Sequence, residues 1–498
     1  MTFTRSILMT SAFAILAANP ALADLTAEQV LADQLKQMQS YGLTAETTSQ
    51  SKSGDVLTVD GYTSELVFPE GSFTMTMGGA IFTEDNGSVI ITYPDEIPIT
   101  IAGVAEGEEP FEMVMTLRQS GTRAVVTGIP EEIRYDFTAE AFSVDEIKFL
   151  EPAEAAEMDM TVDISLNGLS GFMEIVGGGT IRDYTSAFNF ASMAATIAAD
   201  VPEDDGAFNI EINGENISSE YSGRLAPQDF MASMAQTIEA GSRTVGTASH
   251  GPLTYALSAD TPDGGIEMAA ALASGTFDFK MDEDGLDYGG TSKDMTVTVG
   301  GSAMPLPPMS FSAAETGGRF ALPVVPSEDS QGFALLTRMI GLELDPTIWG
   351  IFDPTGQLPR DPANLVIDLG GEVVLTDDIF DPEAMENLAG PPGQINALDV
   401  NDIQLSFAGA ELTGNGEFAF NNEGFFSIPS GVANLKLTGG NGLLDTLVNM
   451  GLVPQEQALG ARMMMGLFAR PGPGDDTLLS TIEVKEDGSV LANGQRIQ

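Results

Sequence analysis

Apolar residues in this 498-residue chain recur at every second position in short runs, and Asx-Gly dipeptides punctuate the runs. Phe73-Thr-Met75-Thr-Met77, Val89-Ile-Ile91-Thr-Tyr93, Phe277-Asp-Phe279-Lys-Met281 and Met295-Thr-Val297-Thr-Val299 have the period of strands with one face buried. Among them stand Asp60-Gly61, Asn86-Gly87, Asn167-Gly168, Asp205-Gly206, Asn213-Gly214, Asp263-Gly264, Asp284-Gly285 and Asp487-Gly488. Such dipeptides tolerate positive φ and close tight hairpins. Turns that short join only antiparallel neighbours, because parallel strands need long crossovers. The pattern predicts a mainly β chain: a long curved antiparallel sheet, or sheets, built from hairpins, with a minority of packed helices.

The helices are few. Thr26 and Gln29 form a capping box ahead of Leu31, Leu35 and Met38, and Gly42 stands past the end. Pro227 to Ala240 opens on proline and stops at Gly241. Asp345-Pro346 and Asp381-Pro382 each read as an N-cap followed by the first helical residue. Gly442 to Met450 and Pro454 to Phe468 read as a helical hairpin, whose Met463-Met464-Met465 run reads as core packing ahead of the alternative, a pliable ligand surface. Ala191-Ser-Met-Ala194 recurs as Ala232-Ser-Met-Ala235, but the flanks make the first copy a strand and the second a helix. Prolines at 305–308 and 323–326 interrupt the strand pattern. They divide the chain into a β-rich region with an N-terminal helix (24–326) and a second β-rich region (327–498), or lie within one continuous domain. The second region holds the helical hairpin and a final β-hairpin at Asp487-Gly488.

Residues 1–23 read as a secretory signal. Arg5 supplies the charged start, Ile7 to Ala18 the apolar stretch, and Ala21-Leu22-Ala23 the cleavage site. A dozen apolar residues are too few to span hydrocarbon, and no later run approaches a transmembrane helix. The mature chain is expected in the periplasm or outside the cell.

Charge and missing side chains narrow the chemistry. Asp and Glu number 73 against 20 Lys and Arg, a formal net charge of −53, which repels nucleic acid. With no Cys and one His, the chain builds no Cys–His nucleophile, no His-rich or Cys-rich zinc site and no disulfide frame. His250, in Ser249-His250-Gly251-Pro252, reads as a surface turn. Ser49-Gln-Ser-Lys52 has the spacing of penicillin-recognising enzymes but lies in a polar stretch with no Lys-Thr-Gly element after it. Gly177-Gly178-Gly179 lacks the spacing of a dinucleotide fingerprint. No catalytic or cofactor-binding residue is assigned. The candidate metal ligands are Asp282, Asp284 and Asp287, whose oxygens fall in one short loop as calcium requires. They lack the full EF-hand spacing, and the same residues make an ordinary hairpin turn. Trp349, in an apolar cluster, reads as core.

Trp349-Gly-Ile-Phe-Asp-Pro354, Leu358-Pro-Arg-Asp-Pro-Ala363 and the ending Gly488-Ser-Val-Leu-Ala-Asn-Gly494 carry a resemblance. They are similar to an uncharacterised family of exported Gram-negative bacterial proteins catalogued as a domain of unknown function (DUF2125-like). That resemblance implies no activity and no site residues. Arg360, between Asp353 and Asp361, reads as a structural clamp.

The sequence favours a non-enzymatic binding or scaffold protein of the envelope, cradling an apolar, lipid-like cargo on a partly covered sheet. One alternative is an interaction protein that presents its acidic surface to an envelope partner. Another is a carboxylate-dependent hydrolase, which needs two acids with separated pKa values. The charge has a consequence for stability. On a compact fold of this mass, exposing roughly 17,000 Å², uncompensated carboxylates lie about 18 Å apart. That exceeds the ~8 Å Debye length of physiological salt but is well inside the ~30 Å length at 0.01 M. The melting temperature should therefore fall between 150 mM and 10 mM salt, and an unchanged or higher value at 10 mM refutes the repulsion.

Overall fold

The computed structural model describes residues 25–68, 71–105, 110–151, 159–201, 206–226, 232–388, 390–422 and 427–498. The signal segment 1–23, Asp205 and the start of the helix expected from Pro227 lie outside them. Six helices are described: α1 (Ala27–Ser40), α2 (Met234–Glu239), α3 (Pro346–Phe352), α4 (Pro382–Glu386), α5 (Gly440–Asn449) and α6 (Gln455–Phe468). The predicted capping box is present at Thr26 and Gln29, and Gly42 leaves α1 with φ 79°. Asp345 caps α3 by accepting hydrogen bonds from the N–H groups of Thr347 and Ile348. The repeated tetrapeptide is strand at 191–194 and helix start at 232–235. Only the second copy has Gln three residues after its Ser, and Ser233 with Gln236 closes a capping box.

Everything else is one antiparallel meander. Its strands run 44–53, 56–68, 71–85, 88–105, 111–129, 132–151, 159–176, 182–201, 206–225, 243–261, 264–282, 285–300, 309–322, 331–344, 363–375, 393–407, 410–421, 428–438 and 477–484, before a small terminal hairpin. Each pairs with the strand before and the strand after, so every long-range pairing grows from a local turn. Five of these strands are broken midway, as 243–261 is at Gly251-Pro252 between Arg243–His250 and Leu253–Thr261. The sheet crosses residue 326 without interruption, since 309–322 and 331–344 pair in register. The first described strand does not pair with the last, so the sheet stays open.

Three of the expected hairpin dipeptides do not turn the chain. Asp60-Gly61, Asn167-Gly168 and Asn213-Gly214 lie inside long strands, whereas Asn86-Gly87, Asp263-Gly264, Asp284-Gly285 and Asp487-Gly488 do close hairpins. At Asn167-Gly168, and at Asn216 just after Asn213-Gly214, the reason is a transverse crease. Gly121, Gly168, Asn216, Asp294 and Gly341 all have φ between 50° and 67°, in the middle of their strands. A Cβ on Gly168 would lie 2.8 Å from the Cβ of Ala191, and one on Gly341 3.1 Å from that of Ala314. Left-handed residues inside a strand bend it and break its alternation. In 206–225 the apolar positions are Phe208, Ile210 and Ile212 before the break but Ile217 and Tyr221 after it. A Cβ on Gly214 would touch Met193, Leu253 and, within 3.5 Å, the Cδ1 of Ile217. Residues 214 and 217 therefore share one side of the sheet, and the strand is concave toward that side.

The expectation of a compact surface fails. The chain exposes 28,667 Å² against roughly 17,000 Å² for a globular protein of this mass. Spread over that area the net charge is one per about 540 Å² (28,667/53), or ~23 Å apart, still inside the 0.01 M Debye length.

Gly168→Ala should lower stability by about 1–2 kcal/mol in urea unfolding, because it adds left-handed strain and crowds Ala191. Gly460→Ala, in α6 with no atom within 4 Å of its added Cβ, should be neutral or stabilise by up to about 1 kcal/mol. Equal effects of the two substitutions would refute a crease that depends on Gly168.

Candidate functional site

Residues opposite one another in a sheet share a face. One register row runs Val89, Val126, Tyr135, Met173, Ser186, Tyr221, Gly246, Phe279, Tyr288, Phe320, Leu335, Leu369, Val400, Gly416, Ala433, Ile482. Ser186 is its single hydrogen-bonding member apart from tyrosine hydroxyls. At ~4.8 Å per strand the row is about 70 Å long. Beyond the crease a second row runs Ile97, Leu117, Val144, Ile164, Ala195, Ile212, Tyr255, Ala270, Val297, Phe311, Leu344. The Gly214–Ile217 contact places both rows on the same side. They are the two walls of a trough.

The other face is charged. Arg134 reaches Asp136 and Glu174, Arg224 binds Asp183, and Arg319 binds Asp287. Arg134, Arg224 and Arg319 thus form an ion-paired ladder along that face. The Arg319 guanidinium, hydrogen-bonded to Asp287, holds its carboxyl below the ordinary aspartate value. Lys280, drawn up by Asp284 and Asp282, sits 2.7 Å and 3.0 Å from them. The three candidate calcium ligands thus lie together at the hairpin turn, each facing Lys280 or Arg319. Among the described residues no three His, Cys, Asp or Glu side chains converge in metal-binding geometry.

The trough is closed at its two ends and open between. At the N-terminal end α1 lies on Leu57, Val59, Phe82, Val89, Ile91, Val126 and Tyr135, the largest buried core of the protein. It is pinned from both sides: Glu28 pairs with Lys52 of the first strand, and Asp33 with Arg182 of the eighth. Seven strand spacings span ~34 Å on a flat sheet, but α1 is only about 21 Å long, so the sheet curls around it. Asp33 (8% exposed) and Arg182 (2%) are both buried. Tyr135 donates to the same carboxylate at 2.8 Å, and burial followed by Asp33 pushes its hydroxyl pKa up. At the C-terminal end α6 roofs the apolar face. Met464, Met465 and Phe468 line an open pocket of about 340 Å³ with Leu412, Leu435, Leu437, Leu478 and Ile482 below. The Met463–Met465 run does not pack a core as expected, because Met463 and Met464 stay exposed. Between the two, Phe277, Leu335 and Leu405 are 44%, 41% and 48% exposed on the apolar face.

The rims are edged by small clusters. Ala235 and Ile238 of α2 pack on Met281, Leu286 and Val324, and Ser233 hydrogen-bonds Asp378 from across the sheet. At the opposite rim Trp349 is buried, stacked on Phe407 at 6.0 Å, with the Arg360 guanidinium 5.3 Å from its ring centroid. Burial opposes ionisation of Asp353, but the N–H groups of Gln357 and Leu358 and the charge of Arg360 outweigh it and lower its pKa. His250 ends a strand at the crease instead of forming a surface turn. Its ring covers Gly275, and its Nδ1 lies 2.7 Å from the carbonyl of Gly251. Ser49 is bonded to Asp60, and Lys52 is held by Glu28 and Glu84. Gly177-Gly178-Gly179 belongs to the connection between 159–176 and 182–201.

The family described as an uncharacterised protein conserved in bacteria (DUF2125) matches residues 237–494, or 258 of the 498 (494 − 237 + 1). The chain belongs to that family. The matched segment covers the open middle of the trough and its α6 roof. No curated protein and no solved structure matches the chain. No described helix is long and apolar enough to cross a membrane.

The α1 anchor was not visible in the sequence, because neither Asp33 nor Arg182 stands in a pattern that distinguishes it from the other charges. Asp33→Ala leaves Arg182 buried, with Nε and Nη2 already unpartnered. It should cost about 3–5 kcal/mol, whereas the double replacement Asp33→Leu with Arg182→Met should cost far less. Equal losses in thermal or urea unfolding would show that the pair itself, rather than the stranded charge, matters.

Proposed function

We propose that this chain is an exported, non-enzymatic binding protein that cradles an apolar, lipid-like chain in the open middle of its trough. One observation carries the reading: a continuous apolar face, concave at the crease, is covered at both ends and left uncovered around Phe277, Leu335 and Leu405. Apolar area of this extent on a protein surface marks an interaction site. The signal-like segment 1–23 supports export to the periplasm or beyond. The charged back of the sheet keeps such a molecule dispersed without adding to the site.

The hydrolase alternative needs one carboxyl pushed up to act as an acid. Asp183, Asp287, Asp345 and Asp353 are all displaced downward, by arginine or backbone N–H partners. These four acids give that reading no support.

Delipidated protein should take up a fluorescent fatty acid or phospholipid. Leu335→Glu or Phe277→Glu should weaken uptake roughly tenfold or more, since one such contact is worth about 1.5–3 kcal/mol. Val245→Glu, on the charged face, should leave uptake unchanged. Absence of uptake by the wild-type protein overturns the proposal.

A further inference from the structure

We propose that the outer stripe of α6 is a membrane-docking element that seats the C-terminal end of the trough on an electrically neutral phospholipid bilayer. The proposal rests on the trough reading, because it concerns the helix that roofs the trough.

α6 is apolar on two sides. Its inner side, with Met465 and Phe468, lines the pocket over Leu412, Leu437 and Ile482. Packing of that cavity does not need Leu459, Met463 and Leu467, which do not line it. These three are spaced four apart, so they form one stripe along the helix. They are 60%, 70% and 48% exposed. Leu452, in the turn leading into α6, is also half exposed.

Charge selects the occupant. Residues 440–469 contain only Asp445, Glu456 and Arg462, and Arg462 is ion-paired with Asp445. Their net charge is −1, leaving −52 (−53 + 1) on the other 468 residues. At that density thirty residues would carry about −3, so the hairpin is a weakly charged patch on a strongly acidic protein. An anionic membrane or an acidic protein face would be repelled by its surroundings, and no basic cluster is present to hold a phosphate-rich surface. A neutral interface accepts an apolar helical stripe at no electrostatic cost, burying it ~5–10 Å deep. The stripe is also continuous with the site: an acyl chain leaving the bilayer at α6 meets the roofed cavity and, beyond it, the apolar register row.

Full-length mature protein is tested by flotation with phosphatidylcholine vesicles, alongside Met463→Asp, Leu459→Asp and Met463→Leu. The wild type and Met463→Leu should float with the vesicles, while each Asp variant loses at least tenfold in bound fraction. All variants should keep the wild-type melting curve and the uptake of fatty acid from solution, because the substituted side chains do not line the cavity. Wild-type protein that does not float, or Asp variants that float equally well, overturns the proposal. So does a wild-type dimer in light scattering that Met463→Asp dissociates without any vesicle binding, since the stripe then seats a second copy. Loss of solution uptake with flotation intact would strike the cargo reading alone.

Discussion

A single-layer sheet can keep one apolar face over strands of nearly twenty residues only if something reconciles its strict alternation with its bend. Here that is the crease. Between strands 111–129 and 331–344, every second or third strand carries a residue at positive φ along its length, as at Gly168 against Ala191 and Gly341 against Ala314. At each break the apolar set switches from one parity to the other, and the bend holds both halves on the same side. Without it the two register rows would face opposite ways, and neither wall of the trough would have its partner.

The other features follow from having a one-sided sheet. Its charged face is a place to put the few cations in ion-paired ladders, where they neutralise carboxylates on neighbouring strands. Its apolar face has to be covered or used. α1 covers one end so completely that the sheet wraps it, held by the buried ion pair of Asp33 with Arg182. α6 covers the other end loosely enough to leave a cavity. The middle is uncovered, which costs solvation free energy in the free protein and is the physical reason to look there for a ligand.

Much of this architecture was legible in the chain. Alternation with short turns gave an antiparallel β protein, and caps at Thr26, Asp345 and the hairpin around Gly451 located helices. Asn167-Gly168 misled as a turn signal because its permissive backbone serves a bend within a strand, and Asn213-Gly214 because its glycine makes room for Leu253 and Met193 beside the bend at Asn216. His250 misled in the same way, since Gly251-Pro252 breaks a strand without reversing it. The trough had a trace in the sequence, the parity switch from Leu286 and Tyr288 to Met295, Val297 and Val299, but only strand register turns such switches into a line.

The sequence by itself determined the period, the antiparallel pairing and the sign of the surface, because each is set by neighbours within a few residues. It also set the absence of cysteine and near-absence of histidine that narrows the chemistry. The tertiary structure decided which glycines turn and which crease, which of the 73 acids meets Arg182, and where the apolar face stays open. Those depend on residues brought together across many strands, and local spacing carries no record of them.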